Sequence, residues 1–284
     1  MTTAVTPTQA PAPPRRRGRR VREGQLTWAS GVGLGISVMW FSLLVLIPLC
    51  AVVITASGAG WSGFWSSITN EQTLAAIKLT VGTAFAVTIV NVFMGTLIAW
   101  VLVRDNFFGK RALEVLIDIP FALPTVVAGL VLLSLYGNGS PVGVNIANNR
   151  SAVFVAYLFV TLPFVVRTVQ PVLAELDREV EEASRSLGAS SFTTFRRVVL
   201  PSLIPAIAAG ATLSFARGVS EYGSLVLLSG NIPFQTEVTS VRILSSIENN
   251  NVVGAASVAT ILLVISLIVI VFVDIVQRRL ARRG

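Results

Sequence analysis

Residues 171–201 read PVLAELDREVEEASRSLGASSFTTFRRVVLP, and the whole chain is understood from this stretch. Leu176, Val180, Ala183 and Leu187 recur at steps of four, three and four, which places them on one face of a helix. Gly188 then interrupts the run as a helix C-terminal glycine does. Ser190 or Ser191 can cap a second short helix, on which Phe192, Phe195 and Val199 share a face, and Pro201 is expected to close it. The predicted product is an elbow of two short amphipathic helices joined at a glycine. That shape suits insertion into a groove on a soluble partner.

On both sides of the elbow the chain turns apolar. Six stretches, at about 32–55, 80–103, 116–136, 152–169, 204–228 and 252–275, each approach the ~20 residues that cross ~30 Å of hydrocarbon. The elbow lies between the fourth and the fifth. Arginines precede the first stretch and small residues follow it, as in a secretory signal. Its apolar length nevertheless exceeds the ~7–15 residues of a signal core, so a retained helix is expected. Trp61, Phe64 and Trp65 just beyond it read as an interfacial aromatic anchor on a short surface helix.

Six spans place both termini on one side. Seventeen of the 22 basic residues then fall on the side of the termini and the elbow. They include the block Arg15–Arg22, Arg104, Lys110, Arg111, Arg178, Arg185, Arg196, Arg197 and the C-terminal arginines. Only Lys78, Arg150 and Arg242 fall opposite. This asymmetry predicts that both termini and the elbow are cytoplasmic. Residues 1–28, rich in Pro and Arg, bury too little to offset their ordering entropy and are expected to be disordered. Their charges either set the topology or touch anionic membrane lipid.

Composition agrees and excludes much. Of 284 residues 53% are hydrophobic and 13% charged, with a mean hydropathy of +0.75, whereas soluble domains carry about 25% charged residues. A soluble enzyme and a disordered tail protein are ruled out. The net charge of +8 would suggest nucleic acid in a soluble protein, but here it follows the loops, and no nucleic-acid partner is expected. With no histidine and the single cysteine Cys50, zinc sites and nucleophile–histidine pairs are unavailable. A phosphate loop is missing too: Gly109-Lys110 is followed by Arg111, and Arg104 stands where its first glycine belongs. No metal, catalytic residue or cofactor is therefore expected on this chain.

Glu182-Ala183-Ser184, three residues, Gly188, nine residues and Val198-Val199-Leu200-Pro201 resemble the EAA loop of ABC importer permeases, E-A-A-x3-G-x9-I-x-L-P. Ser184 and Val198 depart from that pattern by small changes. Further stretches carry the resemblance over about residues 75–275. Asp118–Pro124 (DIPFALP) is similar to the third-span opening of sulfate and molybdate permeases, and Pro163–Pro171 (PFVVRTVQP) to the sulfate branch. Phe215–Gly223 (FARGVSEYG) departs at Ser220 and Tyr222 from the family's F-A-R-x-x-G-E-F-G. Gly230–Pro233 with Thr236–Ser240 again fits the sulfate/thiosulfate branch of the CysT type.

The resemblance implies an all-α, polytopic membrane helix bundle of six transmembrane helices, the type I (MetI-like) importer permease fold, in a bacterial cell membrane. It divides the chain into the tail (1–28), a first transmembrane helix with an outer interfacial segment (29–74), the permease core (75–275) with its coupling loop (171–201), and a basic C-terminus (276–284). It implies a permease for sulfate or thiosulfate, with no nucleotide site of its own. The implied partners are a dimer of CysA-like ATPase subunits carrying ATP and Mg, a CysW-like second permease and an extracytoplasmic sulfate-binding protein. The residues implied in ATPase coupling are Glu182, Ala183, Ser184, Leu187, Gly188, Val198, Leu200 and Pro201, with Glu182 as the polar contact.

Charges inside the spans need partners or water. Arg217 and Glu221 are one turn apart, which suits either a neutralised pair that fixes packing or a counter-charge offered to a passing dianion. Arg167, late in the fourth span, either snorkels to headgroups or forms a positive exit collar. Asp118 and Asp274 read as boundary contacts. Pro120, Pro124, Pro163 and Pro205 mark where spans can bend. Molybdate, tungstate or another oxyanion is an alternative cargo. An ion-coupled secondary transporter would explain the spans and their charges, but it gives no account of the elbow.

Overall fold

The computed structural model of the chain describes residues 28–281. The expected disordered tail therefore lies, apart from Trp28, outside the described residues. The described residues fall into two compact units, divided between Leu49 and Cys50. In the first, α1 (Trp28–Phe41) widens into a π turn over Ser42–Leu46. Ser30–Ser57 as a whole is apolar and long enough to span a membrane.

The second unit contains α2 (Ile47–Ser57) from Cys50 onward, α3 (Gly60–Thr69), α4 (Glu71–Arg104), α5 (Lys110–Ala122) and α6 (Thr125–Tyr136). There follow α7 (Arg150–Glu175), α8 (Arg178–Ser186), α9 (Ser191–Thr194), α10 (Leu200–Val219), α11 (Gly223–Leu228), α12 (Thr239–Glu248) and α13 (Val252–Ala281). The centre is a three-helix arrangement of α4, α7 and α10. Asn91 meets Thr161, Gly95 lies against Val165 and Arg104 reaches Leu176, so α4 and α7 run parallel. Gly210 lies against Val165 and Gly218 beside Tyr157, so α10 runs the opposite way.

This parallelism counts the spans. A chain that leaves α4 at the elbow end and re-enters α7 at the other end must cross in between, so α5 and α6 together make one crossing. Among the described residues five single helices are long and apolar enough to cross a membrane, and this pair brings the number to six. The pair is not the straight span expected at 116–136: it is bent by 119° between its halves. Leu123 and Pro124 are both extended (ψ 136° and 135°), because the proline ring forces the residue before it out of the helical region. Pro120, Pro163 and Pro205 stay inside helices. The fifth span also differs from its expected 204–228, since the helix ends at Val219 and a separate short helix begins at Gly223.

Two apolar cores fill the centre. One surrounds Tyr157, Phe215, Leu225 and Leu228; the other, toward the elbow, surrounds Val165, Val169, Leu173 and Leu203. Between them lies a buried polar layer, in which Asn91 Nδ2 donates to Thr161 Oγ1 (2.7 Å) and Ser214 Oγ (3.3 Å). In lipid the apolar driving force between helices is weak, so such interhelical hydrogen bonds and close backbone approach fix the register. Gly210 supplies that approach. A Cβ there would stand 2.3 Å from Thr168 Oγ1 and 2.9 Å from the Val165 Cα.

Candidate functional site

The predicted elbow is present, built by local chemistry at each corner. Asp177 stops α7 and starts α8 by accepting the Glu179 N–H at 2.9 Å. Glu179 and Glu181 in the first turn and Arg185 in the last suit the helix dipole. At the far end Ala189 N–H bonds to Ser184 O and Gly188 N–H to Arg185 O, a Schellman closure. Gly188 adopts φ +86°, which a side chain would strain. Ser190, of the two expected serines, is the cap, accepting from Thr193 N–H at 3.2 Å.

Pro201 does not close the second helix. α9 continues through a π turn at Phe195–Val199 straight into α10, giving one helical span over Ser191–Val219. In the π turn the Leu200 N–H bonds to Phe195 O, and the Ser202 hydroxyl takes up Val198 O. Pro201 therefore sits inside a continuous helix, and the wider turn just before it is where the chain accommodates the proline's missing N–H. Val198, Leu200 and Pro201 thus lie on the root of the fifth span rather than on the elbow's tip.

The face that packs inward is not the apolar stripe. Val180 is 53% exposed, Leu187 90% and Phe192 71%, and Ala183 and Glu182 are also exposed. Glu181 points inward instead. It is buried, and its Oε1 lies 2.5 Å from Arg104 Nη2 at the end of α4. The same Arg104 nitrogen lies 3.4 Å from Leu176 O. Arg178 donates to Val103 O at 3.2 Å, and Trp100 meets Phe195 edge to face at 5.4 Å. Ser184, one of the departures from the family pattern, joins the two arms: its hydroxyl is 3.0 Å from that of Thr194. The elbow is therefore fastened to the end of α4 by polar bonds and through Phe195, while Val180, Leu187 and Phe192 stay exposed.

Glu181 and Arg104 carry this fastening, and neither stands out in the sequence reading. Glu181 is adjacent to the motif glutamate, so sequence spacing signals a polar helix position there but not which acid faces inward. Of the intramembrane charges, Arg217 and Glu221 form an ion pair at 2.6 Å, with Glu221 buried. Glu221 Oε1 also accepts from the N–H and the hydroxyl of Ser224, both at 2.8 Å, and so caps α11 across the break. Arg167 is bound by Asp118 in a two-pronged pair (Nε–Oδ1 2.7 Å) and by Gln170 at 2.8 Å. It is not a snorkelling arginine: it ties α5 to α7. With Lys110 it borders a cavity of about 490 Å³ beside the elbow. Asp274 pairs with Arg278. Among the described residues, no cluster of acidic or thiol side chains could hold a metal ion.

Comparison with known proteins fits this arrangement. Residues 91–283 match the family described as binding-protein-dependent transport system inner membrane component. The chain is similar to the sulfate transport system permease protein CysT of Salmonella typhimurium, 41% identical over 259 residues that cover 89% of this chain and 94% of that one. It is likewise similar to CysT of Synechocystis, 42% identical over 250 residues, 86% of this chain and 87% of that one. The fold resembles that of a bacterial ABC transporter for import of the polysaccharide alginate, at a TM-score of 0.74 and 17% identity over 89% of this chain and 96% of that one. A chain of the MetNI methionine transporter is a more distant likeness, at 0.51 and 20% over 76% and 99%. The family match takes in most of the chain and the relatives align along nearly all of it, so the chain belongs to the binding-protein-dependent transport inner membrane components, as an ABC importer permease of the CysT sulfate-transport type.

Proposed function

We propose that this chain forms half of the membrane path of an ATP-driven importer for sulfate or thiosulfate, and that its elbow couples the path to a separate CysA-like ATPase. The observation that carries the coupling is the pairing of two features. Val180, Leu187 and Phe192 are uncovered on the elbow's outer face, while the Arg104–Glu181 pair ties its inner face to α4. A lever needs both a surface to be pushed and a rigid joint to the load. Closure of two ATPase subunits around ATP and Mg would displace the elbow, and α4 with it, between states that bind the ATPase differently. Glu182, exposed beside these apolar groups, is placed for a polar contact with the ATPase.

The anion would be selected by an extracytoplasmic sulfate-binding protein and cross between this chain and a CysW-like second permease. Arg217 is held by Glu221, so it fits a packing role better than an anion contact. Lys110, at the cavity beside the elbow, is the cation placed to meet an emerging anion, since Arg167 next to it is held by Asp118 as Arg217 is by Glu221. The charge pattern of the loops supports cytoplasmic termini and elbow.

The test is purification of the assembled complex with Leu187→Glu and Gly188→Asp in this chain, followed by radiolabelled sulfate uptake competed by thiosulfate and by molybdate. Loss of the ATPase subunit with retained membrane insertion is expected. A full complement of ATPase and unchanged uptake in both variants would refute the coupling role. Competition by molybdate but not thiosulfate would refute the cargo.

A further inference from the structure

At the end of the bundle opposite the elbow, a polar pocket of about 340 Å³ opens between α3, the start of α4, α12 and the start of α13. Ser66, Ser67, Asn70, Arg242, Ser246 and Asn251 are among its lining residues, and no carboxylate is. The Arg242 Nε is fully buried and has no hydrogen-bond partner. Among the described residues this guanidinium also has no ion pair, whereas Arg104, Arg167 and Arg217 each have one. Its neighbouring acid in sequence, Glu237, is taken up by Gln72 Nε2 at 2.7 Å. A half-buried arginine whose Nε is shut off from water and has neither a hydrogen bond nor a counter-charge is costly, so this site is incomplete as it stands.

The remaining donors suit an oxyanion. Asn70 and Asn251 use their side-chain oxygens for local backbone N–H groups, Gln72 at 3.0 Å and Gly254 at 2.9 Å, which leaves both amide NH2 groups free to donate. The pocket also lies at an interface. α3 carries Trp61, 79% exposed, and Trp65, 55% exposed, the residues that sit at headgroup level. Beside the polar pocket, Val53, Ala56, Trp61, Phe64 and Thr260 line an apolar groove of about 250 Å³ that also runs between α3 and α13. One positive charge matches a phosphodiester monoanion, not a sulfate dianion.

We infer that the Arg242 pocket binds the phosphodiester headgroup of an anionic phospholipid, with an acyl chain following the apolar groove beside α3. The shared chemistry, a tetrahedral oxyanion, could also come from free sulfate, and the experiment separates the two. The intact permease complex in detergent is titrated with phosphatidylglycerol, with zwitterionic phosphatidylcholine and with inorganic sulfate. Thermal unfolding and bound lipid by native mass spectrometry are read for wild type, Arg242→Gln and Ser66→Leu. Phosphatidylglycerol alone is expected to bind and to raise the unfolding temperature. Arg242→Gln, which removes the unpaired charge, should fold at least as stably without lipid yet bind it about ten-fold more weakly. Ser66→Leu, which adds bulk to the pocket lining and keeps the charge, should also lose the lipid. Equal phosphatidylglycerol binding in Arg242→Gln would overturn the inference, as would stabilisation by sulfate that depends on Arg242, or equal binding of phosphatidylcholine.

Discussion

Replacing Glu181 by alanine tests the joint of the elbow directly. The change leaves the Arg104 guanidinium, whose side chain is 10% exposed, without its carboxylate. Removing one partner of a buried pair costs about 3–5 kcal/mol, and the remaining bond to Leu176 O recovers only part of that. A loss of about 3 kcal/mol confined to the elbow corresponds to about 100-fold more frequent local opening. The bundle itself should hold, because the polar layer at Asn91 and the core around Leu173 and Leu203 do not involve Glu181. Hydrogen exchange on the intact complex reads the difference. Amides of α8 should exchange up to about 100-fold faster, those in the middle of α4 and α7 should not, and sulfate uptake should fall while ATP hydrolysis continues. Glu181→Gln, which keeps the shape and one hydrogen bond, should lose less. Unchanged exchange in α8 of Glu181→Ala would refute the joint, as would an Arg104→Ala/Glu181→Ala double variant whose losses simply add.

Two further substitutions separate packing from transport. Gly210→Ala places a Cβ 2.3 Å from Thr168 Oγ1 and 2.9 Å from the Val165 backbone, so α7 and α10 must move apart; a loss of about 1–3 kcal/mol is expected in reversible unfolding, with expression lowered accordingly. Arg217→Ala strands the buried Glu221 at the α10–α11 break and should lower the yield of folded protein more than Arg217→Ala/Glu221→Gln does, measured by size-exclusion chromatography. Normal folding of Arg217→Ala with a raised KM for sulfate would return Arg217 to the anion path.

The long apolar segments, the glycine at the elbow and a serine cap for its second arm, at Ser190 or Ser191, were legible in the sequence, and the structure chose Ser190. Each rests on short-range chemistry: hydrocarbon thickness, a left-handed backbone at Gly188 and a cap at Ser190. The tertiary structure alone decided which elbow face packs. A stripe such as Val180, Ala183 and Leu187 ordinarily turns inward, but here Arg104 arrives from 77 residues away and pairs with Glu181, turning the stripe out. Likewise Arg217 and Glu221 were one turn apart on paper, yet only the break after Val219 brings Ser224 onto the carboxylate. Arg167 met its Asp118, 49 residues earlier in the chain, only because α5 lies against α7. Periodicity records what a segment does with its own neighbours, whereas a buried charge is placed by the partner that neutralises it, and that partner is chosen by the path of the chain through space.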